Sequence, residues 1–527
     1  VTGASTFAAG TANDITLTKA NDFSTVSITT GNNVAITDKN AVVLGTSAVS
    51  GTLGVSTSGA ITQSGAATVT GASTFAAGTA NDITLTQAND FSTVAITTGN
   101  NVSITDSNAL VLDALAVSGT LGVSTGGAIT QSGASTVTGA STFTAGTAND
   151  ITLTKANDFS TVSITTGNNV AITDANAVVL GTSAVSGTLG VSTAGAITQS
   201  GAATVTGAST FAAGTANDIT LTKANDFSTV SITTGNNVSI VDTTAVVLGT
   251  SDVTGNLAVT AAATNATAFS QSGVLTVTGT STFTANGTTP DAVLTKSNVL
   301  IGNVSFANSG ATFRDISLTN TSATVGTLSF PASFRSLTLD QSAAAVAFST
   351  AATLSGSLTV TAGGAITQTK TLTVAKGASF TAGTANDITL TQANDFSTVT
   401  IVSGNNVAIT DKNAVVLGTS AVSGTLGVST AGAITQSGAA TVTGASTFAA
   451  GTANDITLTQ ANDFSTVAIT TGNNVSITDS NALVLDALAV SGTLGVSTAG
   501  AITQSGASTV TGASTFAAGT ANDITLT

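Results

Sequence analysis

The sequence predicts an all-β protein, a parallel β-helix (solenoid) made of tandem repeats, and three observations carry that prediction. The first is the motif Asp-Ile-Thr-Leu-Thr, which begins at Asp14 and returns at Asp82, Asp150, Asp218, Asp387, Asp455 and Asp523. Every step but the one from Asp218 to Asp387 has the same length, the signature of a repeat array with one interruption. The second is a fainter repeat inside this 68-residue unit, in which DITLT-KAN-DF, NVAIT-DKN-AV and TLGVS-TSG-AI begin at Asp14, Asn33 and Thr52. The third is composition: 527 residues hold no His, Cys, Met, Trp or Tyr. What is left is mostly Ala, Thr, Ser, Gly, Val, Asn, Leu and Ile, a strand and turn alphabet with almost no helix formers beyond Ala.

Within the unit Asp14 to Asn81, alternation places Ile15, Val34 and Leu53 in one inward column and Leu17, Ile36 and Val55 in the next. Phe23, Val42 and Ile61 form a third. Apolar columns at a constant offset are what stacked parallel strands require. The unit therefore reads as about three coils per 68-residue repeat, opening at Asp14, Asn33 and Thr52. Asn21, Asn40 and Gly59 fall at one corner, and Gly31, Asn32 and Gly51 mark another, since Asn and Gly tolerate the left-handed backbone of sharp turns. The third coil, Thr52 to Asn81, is the longest: Val69 and Phe75 in its VTGASTFAAGTA stretch are expected to add apolar cover on a broader side, the alternative being a short fourth turn hidden there.

Three regions follow. Residues 1–252 are β-helix repeats, 253–373 are a divergent β-helix segment, and 374–527 are β-helix repeats again. The divergent segment holds both prolines (Pro290, Pro331), both arginines (Arg314, Arg335) and a concentration of Phe. Its DISLT (Asp315 to Thr319) and SLTLD (Ser336 to Asp340) keep the alternation, so the same fold is expected to run through it, with Pro at turns or edges. Lys39 and Ser107 of the first run reappear in the same order as Lys412 and Ser480 of the second, a longer register laid over the short one. The chain starts and stops inside a repeat, which reads as a window on a longer protein.

The net charge of -15 is spread thinly, and only ten Lys and Arg are present, too few and too scattered for a nucleic-acid surface. Without Cys there are no disulfides and no thiolate ligands. No run of about 18 apolar residues occurs, so no membrane insertion is expected.

Chemistry has few groups to draw on. The acidic residues are all Asp, and a site built from repeated residues would recur in every copy. The one non-repeated polar cluster is Arg314, Asp315, Arg335 and Asp340, which could serve a polysaccharide-cleaving site or form surface ion pairs. Asp14, Asp22 and Asp38, beside Asn13, Asn21 and Asn40, offer oxygens to calcium or cap turns. Outward Thr16 and Thr18 suggest an ice-binding row, but the following coils place Ala35 with Thr37 and Gly54 with Ser56 there. These flat columns of small residues would let copies pack side by side. No catalytic, cofactor-binding or metal residue is assigned.

GAITQSG (Gly59 to Gly65), STF (Ser73 to Phe75), AGTANDITL (Ala77 to Leu85) and NNVAITD (Asn32 to Asp38) make the sequence resemble giant bacterial surface proteins of the filamentous-haemagglutinin-like class. The resemblance covers nearly all of the chain outside residues 253–373. It implies a right-handed β-helix and export to the bacterial cell surface. The expected function is a non-enzymatic extracellular structural rod: an adhesin stalk, or a surface fibre or sheath. The expected partners are further copies, side by side or end to end, with a cell-surface polysaccharide as another partner. The alternatives are a polysaccharide-binding or polysaccharide-cleaving β-helix and an ice-binding adhesin segment.

Overall fold

The computed structural model describes residues 1–309 and 312–527. Among them every regular element is a β-strand, and the chain is a parallel β-solenoid. It divides into two compact units, Val1–Thr260 and Ala261–Thr527.

In the first unit the apolar columns form as the alternation predicts. Ile15 pairs with Val34 and Leu17 with Ile36; Val34 continues to Leu53 and Ile36 to Val55. Val42 pairs with Ile61, and Phe23 is buried with them. Successive side chains point to opposite faces, so Val, Ile, Leu and Phe fill the interior while Thr, Ser and Lys face out. Burying each of these side chains is worth roughly 1.5–3 kcal/mol before chain entropy is subtracted.

The expected long third coil, Thr52 to Asn81, is not a single turn. Leu53 pairs with Ser73, and Ser73 pairs in its turn with Val94. Ile83, the copy of Ile15, stands over Ile61 instead of Leu53. Four turns from Ile15 thus end at Val94, beyond Ile83, so a 68-residue repeat spans more than three turns and fewer than four. Equivalent residues of successive copies lie on different ladders. Ile151, the next copy, stands over Ile129. Phe75 does not widen one side; it continues the column of Val55, fully buried, with its ring edge-on to Phe91 at 5.9 Å.

The corners follow from local chemistry. Gly78 has φ +80°, a left-handed turn that Gly adopts without a Cβ clash, and Asn81 closes it by donating Nδ2 to the Ala77 carbonyl at 2.8 Å. At another corner a Cβ on Gly71 would lie 2.6 Å from the Gly51 carbonyl oxygen, so only Gly permits the rungs to approach there. Asn21 does not share its ladder position with Asn40: it pairs with Asp38, and Asn40 reaches Asp22 instead, donating Nδ2 at 2.9 Å.

In the second unit the divergent segment keeps the inward alternation. Asp315–Asn320 pairs in register with Ser336–Gln341, burying Ile316, Leu318, Leu337 and Leu339, and Leu337 then pairs with Leu358. Pro290 and Pro331 lie outside strands. The repeats resume with Ile388 on Val407 and Val407 on Leu426.

Candidate functional site

The predicted cluster at Arg314 forms a corner of three successive rungs in the second unit. Arg335 donates its backbone N–H to the Arg314 carbonyl at 2.8 Å, so the two arginines stack. Each reaches back one rung to an aspartate. Arg314 donates Nε to Asp291 Oδ1 at 2.9 Å and Nη2 to Oδ2; Arg335 donates Nε to Asp315 Oδ1 at 2.7 Å and Nη2 to Oδ2. Both are bidentate forks, the strongest geometry for this pair. Asp315 also donates its N–H to Asp291 Oδ1 at 3.0 Å. The Arg335 fork holds the Asp315 carboxyl below the usual carboxylate range against the opposing effect of burial.

A cavity of about 360 Å³ opens beside the arginines, with Phe313, Phe334 and the hydroxyls of Thr289 and Ser333 in its wall. Thr289 has φ +47°, which is strained for a β-branched residue, and it donates Oγ1 to Asn265 Oδ1. Asp340 does not join the cluster; it accepts from the Ser342 N–H at 3.1 Å. Asp291 was missed by sequence reasoning. It lies a whole rung before its partner, and its one local signal was the preceding Pro290.

The candidate calcium ligands have other engagements. Asp14 Oδ1 accepts from Asn33 N at 3.1 Å, Asn33 Nδ2 at 3.0 Å and Asn32 Nδ2 at 3.1 Å, and these bonds hold its carboxyl low. Asp22 pairs with Lys39 at 3.1 Å. Asp38 is buried and accepts from Phe23 N at 2.6 Å and Asn40 N at 2.9 Å. Among the described residues no group of three or more His, Cys, Asp or Glu could hold a metal ion.

A second repeated device escaped the sequence reading. Asn89, fully buried, bridges to Gln63 of the preceding copy: Gln63 Nε2 donates to its Oδ1 at 2.7 Å and its Nδ2 donates to Gln63 Oε1 at 3.1 Å. Its Oδ1 also accepts from Ala67 N at 2.9 Å. The distance between the two along the chain conceals the pair, although GAITQSG and AND both recur.

The outward small-residue column reads Thr16, Ala35, Gly54 and Thr74. A shallow groove of about 210 Å³ lies over Gly122 and one of about 290 Å³ over Gly427.

The sequence profile of a family described as repeats of unknown function (DUF5649) matches residues 1–30, 31–98, 99–166, 167–234, 235–307, 334–403, 404–471 and 472–527. The unmatched residues 308–333 contain Phe313, Arg314, Asp315 and Pro331. No curated protein and no solved structure matches the chain. With almost its whole length in the profile, and every matched copy folded as rungs of a β-solenoid, the chain belongs to this family of repeats of unknown function.

Proposed function

We propose that the chain is a non-enzymatic structural segment of an extracellular bacterial surface protein, serving as the stalk of a filamentous-haemagglutinin-like adhesin or as the body of a surface fibre or sheath. The observation that carries this reading is the corner relay from Asp14 to Asn33 to Thr52, which recurs as Asp82, Asn101 and Thr120 and in later copies. It links rung to rung through side chains beside the backbone ladder. Cohesion built into copy after copy suits a body that must keep its length under load.

The clasped aspartates support the same reading. Glycoside cleavage by a carboxyl pair needs both carboxyls free to face the substrate, whereas Asp291 and Asp315 are each occupied by a bidentate arginine fork. The small-residue columns and the grooves over Gly122 and Gly427 support side-by-side association with further copies. Because equivalent residues of successive copies lie on different ladders, such contacts would form on more than one side.

Immunogold labelling of intact, unpermeabilised cells with an antibody to the 68-residue repeat tests the location. Labelled surface fibres are expected, and label that appears only after permeabilisation would overturn the reading. Replacing Ala35, Gly54 and their copies by Lys should weaken lateral association in sedimentation; unchanged association would remove the packing role.

A further inference from the structure

We infer that a cleft at Gln341, in the second unit, binds an uncharged sugar ring. Around the divergent segment the rungs pair in sequence on most faces, but one face has a break. The strand Leu328–Ser329 pairs with Val304–Asn308 on one side, and Val346–Phe348 pairs with Ile366–Gln368 on the other. Among the described residues these two strands do not pair with each other. The ring column breaks at the same level: Phe283 stacks on Phe306 at 5.4 Å and Phe306 on Phe330 at 5.9 Å, and the stack does not extend to Phe348 among the described residues. Pro331, which has no N–H to give a ladder, follows directly.

A cavity of about 430 Å³ fills the break, with Asn303, Thr327, Leu328, Ala347 and Ser349 in its wall and Gln341 behind them. Gln341 is 1% exposed. Its Nε2 donates to the Ala345 carbonyl at 2.6 Å, while its Oε1 has no partner among the described residues. A buried acceptor left unpaired is costly and calls for an explanation. It marks a place where a ligand hydroxyl can donate.

The lining sets the ligand's chemistry. It contains no charged side chain, so neither an anion nor a cation is favoured. Thr327 and Ser349 bring hydroxyls, which can accept as well as donate, and Leu328 offers a patch for C–H groups. The volume lies within the range of small-molecule clefts. An added peptide strand fits less well. It would need the flanking rungs about twice the usual 4.8 Å apart, yet on the neighbouring face Ser336–Gln341 pairs in register with the rungs on both sides. This inference does not depend on the surface-stalk reading.

Saturation-transfer NMR on the full chain with glucose, galactose, mannose and N-acetylglucosamine tests it. At least one neutral sugar should give transfer. Ala347→Phe, at an exposed position, should fill the cleft and abolish the signal without changing the unfolding midpoint. Gln341→Leu should weaken binding about tenfold, the loss of roughly one good hydrogen bond. No transfer from any of the four sugars, transfer that survives Ala347→Phe, or binding of an extended peptide at this cleft in their place would overturn the proposal.

Discussion

Asn33 stands one rung above Asp14 and donates both its backbone N–H and its side-chain amide to a single carboxylate oxygen. Its own Oδ1 then accepts from the N–H and the hydroxyl of Thr52, at 3.1 and 3.0 Å. The three residues that open the segments differ because each has a different task in the relay. Asp only accepts, Asn gives and takes, and Thr ends the series. Replacing Asn33 and its copies by Asp would set carboxylates one above another and remove the donors. The urea midpoint should fall, and the fall should shrink in high salt as the repulsion is screened.

Folding should respond to pH in two opposite ways. Burial pushes the carboxyls of Asp106, Asp174, Asp242, Asp411 and Asp479 above the ordinary 3.8, against the backbone amides they accept from. Such a group holds its proton more tightly when folded, so its contribution is complete below 3.8 and is lost as pH rises through the raised value. Amides of Asn33, Asn406 and Asn474 hold Asp14, Asp387 and Asp455 below 3.8, so their contribution is lost as pH falls through the lowered value. Together these groups place maximum stability near the ordinary carboxylate value. Urea midpoints measured from about pH 3 to about pH 8 should show it, and changing Asp106, Asp174, Asp242, Asp411 and Asp479 to Asn should flatten the alkaline side of that maximum.

Ser73, Ser141, Ser209 and Ser446 place hydroxyls in the core without a hydrogen-bond partner among the described residues. Ser141 lies between Leu121 and Val162. Replacing any of these serines by Ala should stabilise the chain by about 1 kcal/mol, because the burial cost of an unpaired hydroxyl disappears. Thermal unfolding of the fourfold variant should give a higher midpoint than wild type; a lower one would mean that the hydroxyls have partners in solution.

Asn89 is the opposite case, a buried polar group with its bonding filled. Asn89→Ala should cost roughly 2–4 kcal/mol, since the Gln63 amide and the Ala67 N–H would each be left unpaired. Chemical denaturation of the single variant measures this, and Asn89→Asp should cost more by burying a charge.

The fold was legible in the sequence wherever inward residues are large. Ile15, Val34 and Leu53 mark their ladder plainly, as do Leu17, Ile36 and Val55. The reading failed at Ser73, where a small polar residue occupies the inward position and hides the turn boundary between Leu53 and Val94. The Arg335–Asp315 pair was legible because both residues belong to the one polar cluster that is not repeated. Arg314's partner Asp291 was not, since that carboxylate belongs to a rung without copies and no periodicity points to it. The cleft at Gln341 had no sequence signal, because an absent strand pairing leaves no pattern to read.

The mismatch between the 68-residue repeat and the turn gives copy number a geometric meaning. Within the run of repeats in the first unit, removing one copy would leave every ladder able to close, because identical rungs meet across the cut. The rungs beyond the cut would nevertheless be turned about the axis by the leftover fraction of a turn. Gain and loss of repeats would therefore re-aim one end of that run relative to the other as well as changing its length.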